Sequence, residues 1–169
     1  TEAVRGVLVA MGTACGGDET RKQVAHAIRK IATGSAEGKQ LLATVEVRGV
    51  LVAMGAACGS DGVRAPVADA IGQIAAGFEE GKRVMATEEV RGLLVAMGVA
   101  CGSDEVRAPL ANAIRQLATG IAERKQLFAT EEVRGVLVAW GRRVGVMRRA
   151  SMWRLRFAKS QLVFRRGSW

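Results

Sequence analysis

TEEVRGLLVAMGVACGSDEVRAPLANAIRQLATGIAERKQLFA, residues 87–129, is one copy of a 43-residue unit from which most of this chain is built. The unit also occupies residues 1–43 and 44–86, and the copies at 44–86 and 87–129 are identical at 28 of 43 aligned positions. A fourth copy opens at Thr130 and departs from the pattern near Trp140. Repetition at a period between about 20 and 50 residues marks architectures in which one small unit is stacked on the next. Each unit buries its apolar face only against its neighbours.

Within the copy at 44–86 the apolar pattern is helical three times. Thr44 stands at an N-cap position, with Glu46 in the first turn where the helix dipole favours a carboxylate. Val47, Val50, Leu51 and Met54 follow at i, i+3, i+4 and i+7, one face of a helix expected to end near Cys58 and Gly59. Gly59 to Gly62 reads as a turn. A second stripe, Val63, Val67, Ala70, Ile71 and Ile74, stops at Ala76 and Gly77, with glycine in the C-cap region. Glu80 to Ala86 is expected to add a short third helix with Val84 and Met85 toward the stack. Pro66 and Pro109 disturb the second helix, because proline removes a helical hydrogen bond. That helix therefore either begins nearer Arg64 and Arg107 or is kinked in its first turn. Three short helices per unit predict an all-α solenoid over residues 1–140, with residues 141–169 as a separate basic tail.

The succession EGKQLLA (Glu37–Ala43), EVRGVLVAMGAAC (Glu46–Cys58) and GSDGVRAPVADAIGQIAAG (Gly59–Gly77) resembles helices one, two and three of armadillo repeats. The period also lies in the range of HEAT units. The stretches HAIRKIA (His26–Ala32), DAIGQIA (Asp69–Ala75) and NAIRQLA (Asn112–Ala118) resemble the W-A-L-S-N-L-A-like ending of the armadillo third helix. The resemblance covers residues 1–140. It implies a right-handed α-solenoid with a concave groove lined by third helices, and a protein-interaction scaffold holding an extended polypeptide there. In the family an Asn of that stretch clamps the peptide backbone. Lys30, Gln73 and Gln116 stand in its place here, and His26, Asp69 and Asn112 stand where the family often has Trp. Gln donates and accepts as Asn does, but Lys only donates, so a regular Asn ladder is not expected.

Residues 26 and 30, 69 and 73, and 112 and 116 are i, i+4 pairs, each on one helix face. The core positions of the unit are nearly invariant from copy to copy, whereas this face changes. It carries Lys22, His26, Arg29 and Lys30, then Asp69, Gly72 and Gln73, then Asn112, Arg115 and Gln116. The candidate groove residues are His26, Lys30, Asp69, Gln73, Asn112, Arg115 and Gln116, graded from basic to mixed polar. The competing reading is an ordinary solvated face, and His26 by itself reads as a surface polar residue.

The net charge of +9 is not spread along the repeats. Residues 1–140 hold 16 basic and 16 acidic side chains, and all nine excess cations lie in 141–169. Cys15, Cys58 and Cys101 occupy the same place in successive copies. Stacked helices lie roughly 10 Å apart, beyond the roughly 7 Å between Cα atoms that a disulfide tolerates. The cysteines are therefore expected to be small buried hydrophobes in a reducing, cytoplasmic or nuclear compartment. No apolar run reaches the roughly 18 residues of a membrane span, and no signal peptide is evident. The absence of an initiator Met points to a fragment or processed product.

The departure near Trp140 has a simple genetic reading. A gene encoding MGSACGSDEAR, from which the first nucleotide of the Met codon is deleted, encodes residues 140–150 as they stand. Trp153 to Val163, read back in the lost frame, gives VAxAIRQIATG, the ending of the other third helices. Residues 141–169 are thus expected to be a frameshifted fourth repeat. Their Arg and Trp content resembles a nucleic-acid or membrane-surface segment. Off-frame reading of a GC-rich repeat produces the same composition by default.

No phosphate-binding glycine loop, zinc-protease helix or nucleophile elbow occurs. There is a single His, and the paired carboxylates at Glu79-Glu80, Glu88-Glu89 and Glu131-Glu132 sit at helix starts, where the dipole accounts for them. No catalytic centre, cofactor or metal is expected. The expected partner is a protein or peptide. The rival readings are polyanion binding through the basic tail and a non-functional fragment, and uncapped solenoid ends would promote self-association.

Overall fold

The structure, a computed structural model, describes residues 1–143, and these are all-α: ten helices and no strand among the described residues. They are α1 (Glu2–Ala14), α2 (Asp18–Gly34), α3 (Ala36–Leu42), α4 (Val45–Ala57) and α5 (Asp61–Ala75). There follow α6 (Glu79–Met85), α7 (Glu88–Ala100), α8 (Asp104–Leu117), α9 (Ala122–Phe128) and α10 (Glu131–Arg143). The tail and the proposed frameshift fall almost wholly outside the described residues. Helix α10 nevertheless runs through Trp140 to Arg143, past the point where the repeat ceases to be legible.

The helix starts follow from local chemistry. The hydroxyls of Thr44, Thr87 and Thr130 accept from the backbone N–H groups of Val47, Val90 and Val133, which satisfies one orphan donor of each first turn. Ser35 does the same for Gly38 at the start of α3. Glu46, Glu88 and Glu89 add negative charge at the positive helix ends.

Helices of like position pack side by side. α4 lies between α1 and α7, and α10 continues on α7. α5 lies between α2 and α8, while short α3 and α6 bridge to the flanks of α5 and α8. Flanked on both sides, α5 buries the most: Val63, Val67, Ala70, Ile71, Ile74 and Ala75 all lie in the core. Burying a side chain the size of Ile71 or Ile74 contributes about 1.5–3 kcal/mol. The small residues set the spacing: a Cβ built on Gly72 would stand 3.3 Å from Ala113 Cα, so α5 and α8 approach closely there. Val84 and Met85 face the core as expected.

Neither α5 nor α8 begins where its proline suggested. α5 starts at Asp61, not near Arg64, and α8 starts at Asp104, not near Arg107. Pro66 and Pro109 lie inside continuous helices. Lacking an N–H, Pro66 leaves the Gly62 carbonyl without its helical partner. The first turn keeps its backbone bond from Arg64 N–H to the Ser60 carbonyl, at 3.3 Å, and side chains add to it. Arg64 Nη1 donates to Asp61 Oδ1 at 2.8 Å, and Ser60 Oγ donates to Asp18 Oδ2 at 2.8 Å instead of capping its own helix.

The cysteines are free thiols: Cys58 and Cys101 are buried and Cys15 half-buried. Each donates to the carbonyl three residues back, on Gly12, Gly55 and Gly98 respectively. Among the described residues no single helix is long and apolar enough to cross a membrane.

Candidate functional site

Because α2, α5 and α8 pack in sequence, the candidate residues fall on three adjacent helices. His26 and Lys30 lie on α2, Asp69 and Gln73 on α5, and Asn112, Arg115 and Gln116 on α8. Lys30 and Arg115 are exposed, while the other five are half-buried. All seven are therefore accessible in part, and none belongs to the core.

Three of them are already engaged. Asp69 Oδ2 accepts from Arg29 Nη1 of α2 at 3.1 Å, a pairing between neighbouring helices. Asn112 Oδ1 accepts from Arg115 Nη2 at 2.7 Å within α8. Among the described residues the amides of Gln73 and Gln116 have no hydrogen-bond partner, so both remain open to a ligand. Gly72 stands at the position that Arg29 and Arg115 hold in the flanking copies, and it is buried where α5 meets α8, a Cβ there falling 3.5 Å from Asn112 Nδ2.

The α2 end of the face is basic. Lys22, His26, Arg29 and Lys30 share one stripe, and the carboxylates near it are Asp69 on α5 and Glu19, whose Oε2 is 3.8 Å from Lys22 Nζ. Burial pushes the His26 imidazole below its ordinary value, and the positive charges of Arg29, Lys22 and Lys30 push it further, against a weaker pull from Asp69. His26 is accordingly neutral at pH 7, a donor and an acceptor rather than a cation.

Several polar residues that the sequence reading passed over do more to position this face than the candidates do. Asp61 Oδ2 accepts from the backbone N–H groups of Gly102 and Ser103, at 2.9 and 3.0 Å, in the turn before α8. Asp18 makes the corresponding contact with Ser60. Arg21 Nη1 reaches the Ala57 carbonyl at the end of α4, and Arg64 Nη1 the Ala100 carbonyl at the end of α7, at 3.3 and 3.4 Å. A guanidinium at a helix C-terminus satisfies an orphan carbonyl and complements the dipole. The signal was present in the sequence as Asp-x-x-Arg at 18–21, 61–64 and 104–107. It was masked by its resemblance to an ordinary i, i+3 surface pair. Ser60 hydrogen-bonding, followed by Arg21, holds the Asp18 carboxyl below its ordinary value. Burial raises Asp61, but Arg64 and the Gly102 and Ser103 donors outweigh it, and Asp61 also ends low.

Two clefts lie away from the candidate face. One, of about 350 Å³, is lined by Glu79, Glu80, Arg83, Ala86, Ile121 and Arg124. The other, of about 220 Å³, lies between α7 and α10 beside Trp140. Neither includes a candidate residue. Among the described residues no cluster of His, Cys, Asp and Glu is arranged to hold a metal ion. Comparison with protein-family models, with curated proteins and with solved structures returned no match.

Proposed function

We propose that this chain is a protein-interaction scaffold, an armadillo-like right-handed α-solenoid that holds an extended polypeptide segment across α2, α5 and α8. The carrying observation is the juxtaposition of Lys30, Gln73 and Gln116 on three neighbouring helices. They form a row of long polar side chains, Lys in the first copy and Gln in the next two, spaced by the packing of helices on a nearly constant framework. Two amides with free donors and acceptors suit the peptide backbone. The basic α2 end favours a segment with acidic residues at one end. The helix order within each 43-residue unit and the like-on-like packing support the armadillo reading.

The test is selection of peptides from a random library by the full chain, followed by affinity measurement with Lys30→Glu, Gln73→Ala and Gln116→Ala variants. Expected is a loss of affinity of about tenfold or more in the triple variant, with its circular dichroism unchanged. Undiminished peptide binding by that variant would sink the proposal. RNA binding that survives it would favour the basic tail as the binding element.

A further inference from the structure

Among the described residues Arg124 is the one buried charged side chain, 8 % exposed, and it occupies the position of Gly38 and Gly81 in the other copies. Its Nη2 donates to Glu79 Oε2 at 2.5 Å. Its Nε and Nη1, which carry three of the five guanidinium N–H donors, have no partner among the described residues. A buried cationic donor without an acceptor carries an uncompensated desolvation cost. Glu79 offsets little of it, because its other oxygen, Oε1, accepts from Lys82 Nζ at 2.8 Å.

Arg124 forms one wall of the cleft of about 350 Å³ between α6 and the start of α9, and Arg83 forms another. Both walls lie in the second and third copies, which the structure describes in full. Arg83 is bonded to Glu80 through Nε and Nη2, and this pair is exposed, so it is weakly held and opens readily. Ala86 and Ile121 supply apolar wall, Ile121 standing where the other copies have Ser35 and Phe78. Lys82, Arg83 and Arg124 face the two carboxylates of Glu79 and Glu80, which leaves one positive charge in excess. That balance suits a ligand with a single negative charge, since a second would meet Glu79 and Glu80. We propose that this cleft binds a small aliphatic monocarboxylate, its carboxylate bridging the guanidinium groups of Arg124 and Arg83 and its apolar body against Ala86 and Ile121. A carboxylate accepts through both oxygens and matches the planar donors of arginine. A volume at the low end of ligand pockets limits the body to a few carbons. A free short-chain acid and the C-terminus of a peptide ending in an aliphatic residue both present this chemistry. The cleft is separate from the α2–α5–α8 face, and the proposal does not rest on peptide binding there.

Titration of the full chain with sodium isovalerate at pH 7, followed through backbone amide NMR signals, tests it. Saturable shifts are expected at residues 79–86 and 120–124. Isovaleramide, of the same shape without the charge, and sulfate, with two charges, are each expected to bind at least about tenfold more weakly. Arg124→Gly restores the residue of the other copies and is expected to keep the helix content and abolish binding. Arg83→Gln, at an exposed side chain, is expected to fold as wild type and weaken binding severalfold. Glu80→Gln removes the carboxylate that competes for Arg83 and is expected to tighten binding about threefold, a gain that a purely structural role for these groups does not produce. A short peptide ending in leucine, with its C-terminus free or amidated, identifies the source. Tighter binding of the free form than of isovalerate supports the site as one for chain ends, and binding of isovalerate alone supports it as one for free acids. Absence of saturable shifts with both acids, equal affinity for acid and amide, or full binding by the Arg124 and Arg83 variants would each overturn the proposal.

Discussion

Among the described residues Gly38 and Gly81 carry the tightest backbone constraints. A Cβ on either would lie 2.1 Å from a carbonyl oxygen of the preceding helix, Ile31 O or Ile74 O, and a backbone oxygen cannot swing aside. Gly81→Ala is therefore expected to destabilise by about 2–3 kcal/mol, the upper range for overpacking. Gly49→Ala, on the exposed side of α4 with open space around it, is expected to stabilise by about 0.5–1 kcal/mol. Urea denaturation midpoints distinguish the two, and equal effects would refute the packing argument. The third copy tests the rule in nature: Arg124 stands where Gly38 and Gly81 stand. There the corner is rebuilt, with Gly120 at φ 109° where Gly77 has φ 68°. Arg124 is buried, donating to Glu79 Oε2 at 2.5 Å while its Nε and Nη1 find no partner. From the aligned copies Gly38 and Gly81 look like two glycines among many. Their role appears only when α2 meets α3 and α5 meets α6.

Between helices, the Asp-x-x-Arg pairs act as ties from one set of helices to the next. Asp61→Ala removes acceptors for Arg64, Gly102 and Ser103 together, and is expected to cost about 1–3 kcal/mol. Asp104 has the same place in its copy but within the described residues pairs only with Arg107, and its side chain is largely exposed. Asp104→Ala is expected to cost less than about 1 kcal/mol. Thermal melts of the two variants provide the comparison, and equal losses would refute the inter-helix role of Asp61. Helix identity was legible from period, caps and glycines, including the short α6 and the stop at Gly77. The serines at the apparent starts of α5 and α8 proved to be their N-caps, and the later starts that Pro66 and Pro109 also allowed did not occur.

For the whole molecule the ionisable groups divide into two pH windows. Glu79 is held at about 2, first by hydrogen bonding from Lys82 and then from Arg124, and Asp18 and Asp61 are also depressed. Carboxyls lowered by folding contribute stability that is complete above their unfolded values near 4 and is lost as pH falls through the folded ones. His26 is depressed as well, so the unfolded chain binds its proton first. Stability is expected to decline as pH falls through about 6.5 and to level off below the folded value. Denaturant titrations from pH 8 to 2 should show a shallow decline in the upper window and a steeper one below pH 4. His26→Gln should remove the former alone, and an upper decline unchanged by that substitution would refute the assignment to His26.

The repeat, its helices, the neutral balance of residues 1–140 and the identity of the variable positions were all contained in the linear order of residues. They depend on period and local chemistry, which act over a few neighbours. Which of those positions are free was decided only by packing. The Arg29–Asp69 pair, the Asp61 tie, the close approach of Gly12 to Val50, of Gly55 to Leu93 and of Gly98 to Val136, and the burial of Trp140 join residues about 40 apart. No local pattern specifies such contacts. They arise when helices of like position come close enough for one side chain to complete the surface of the next.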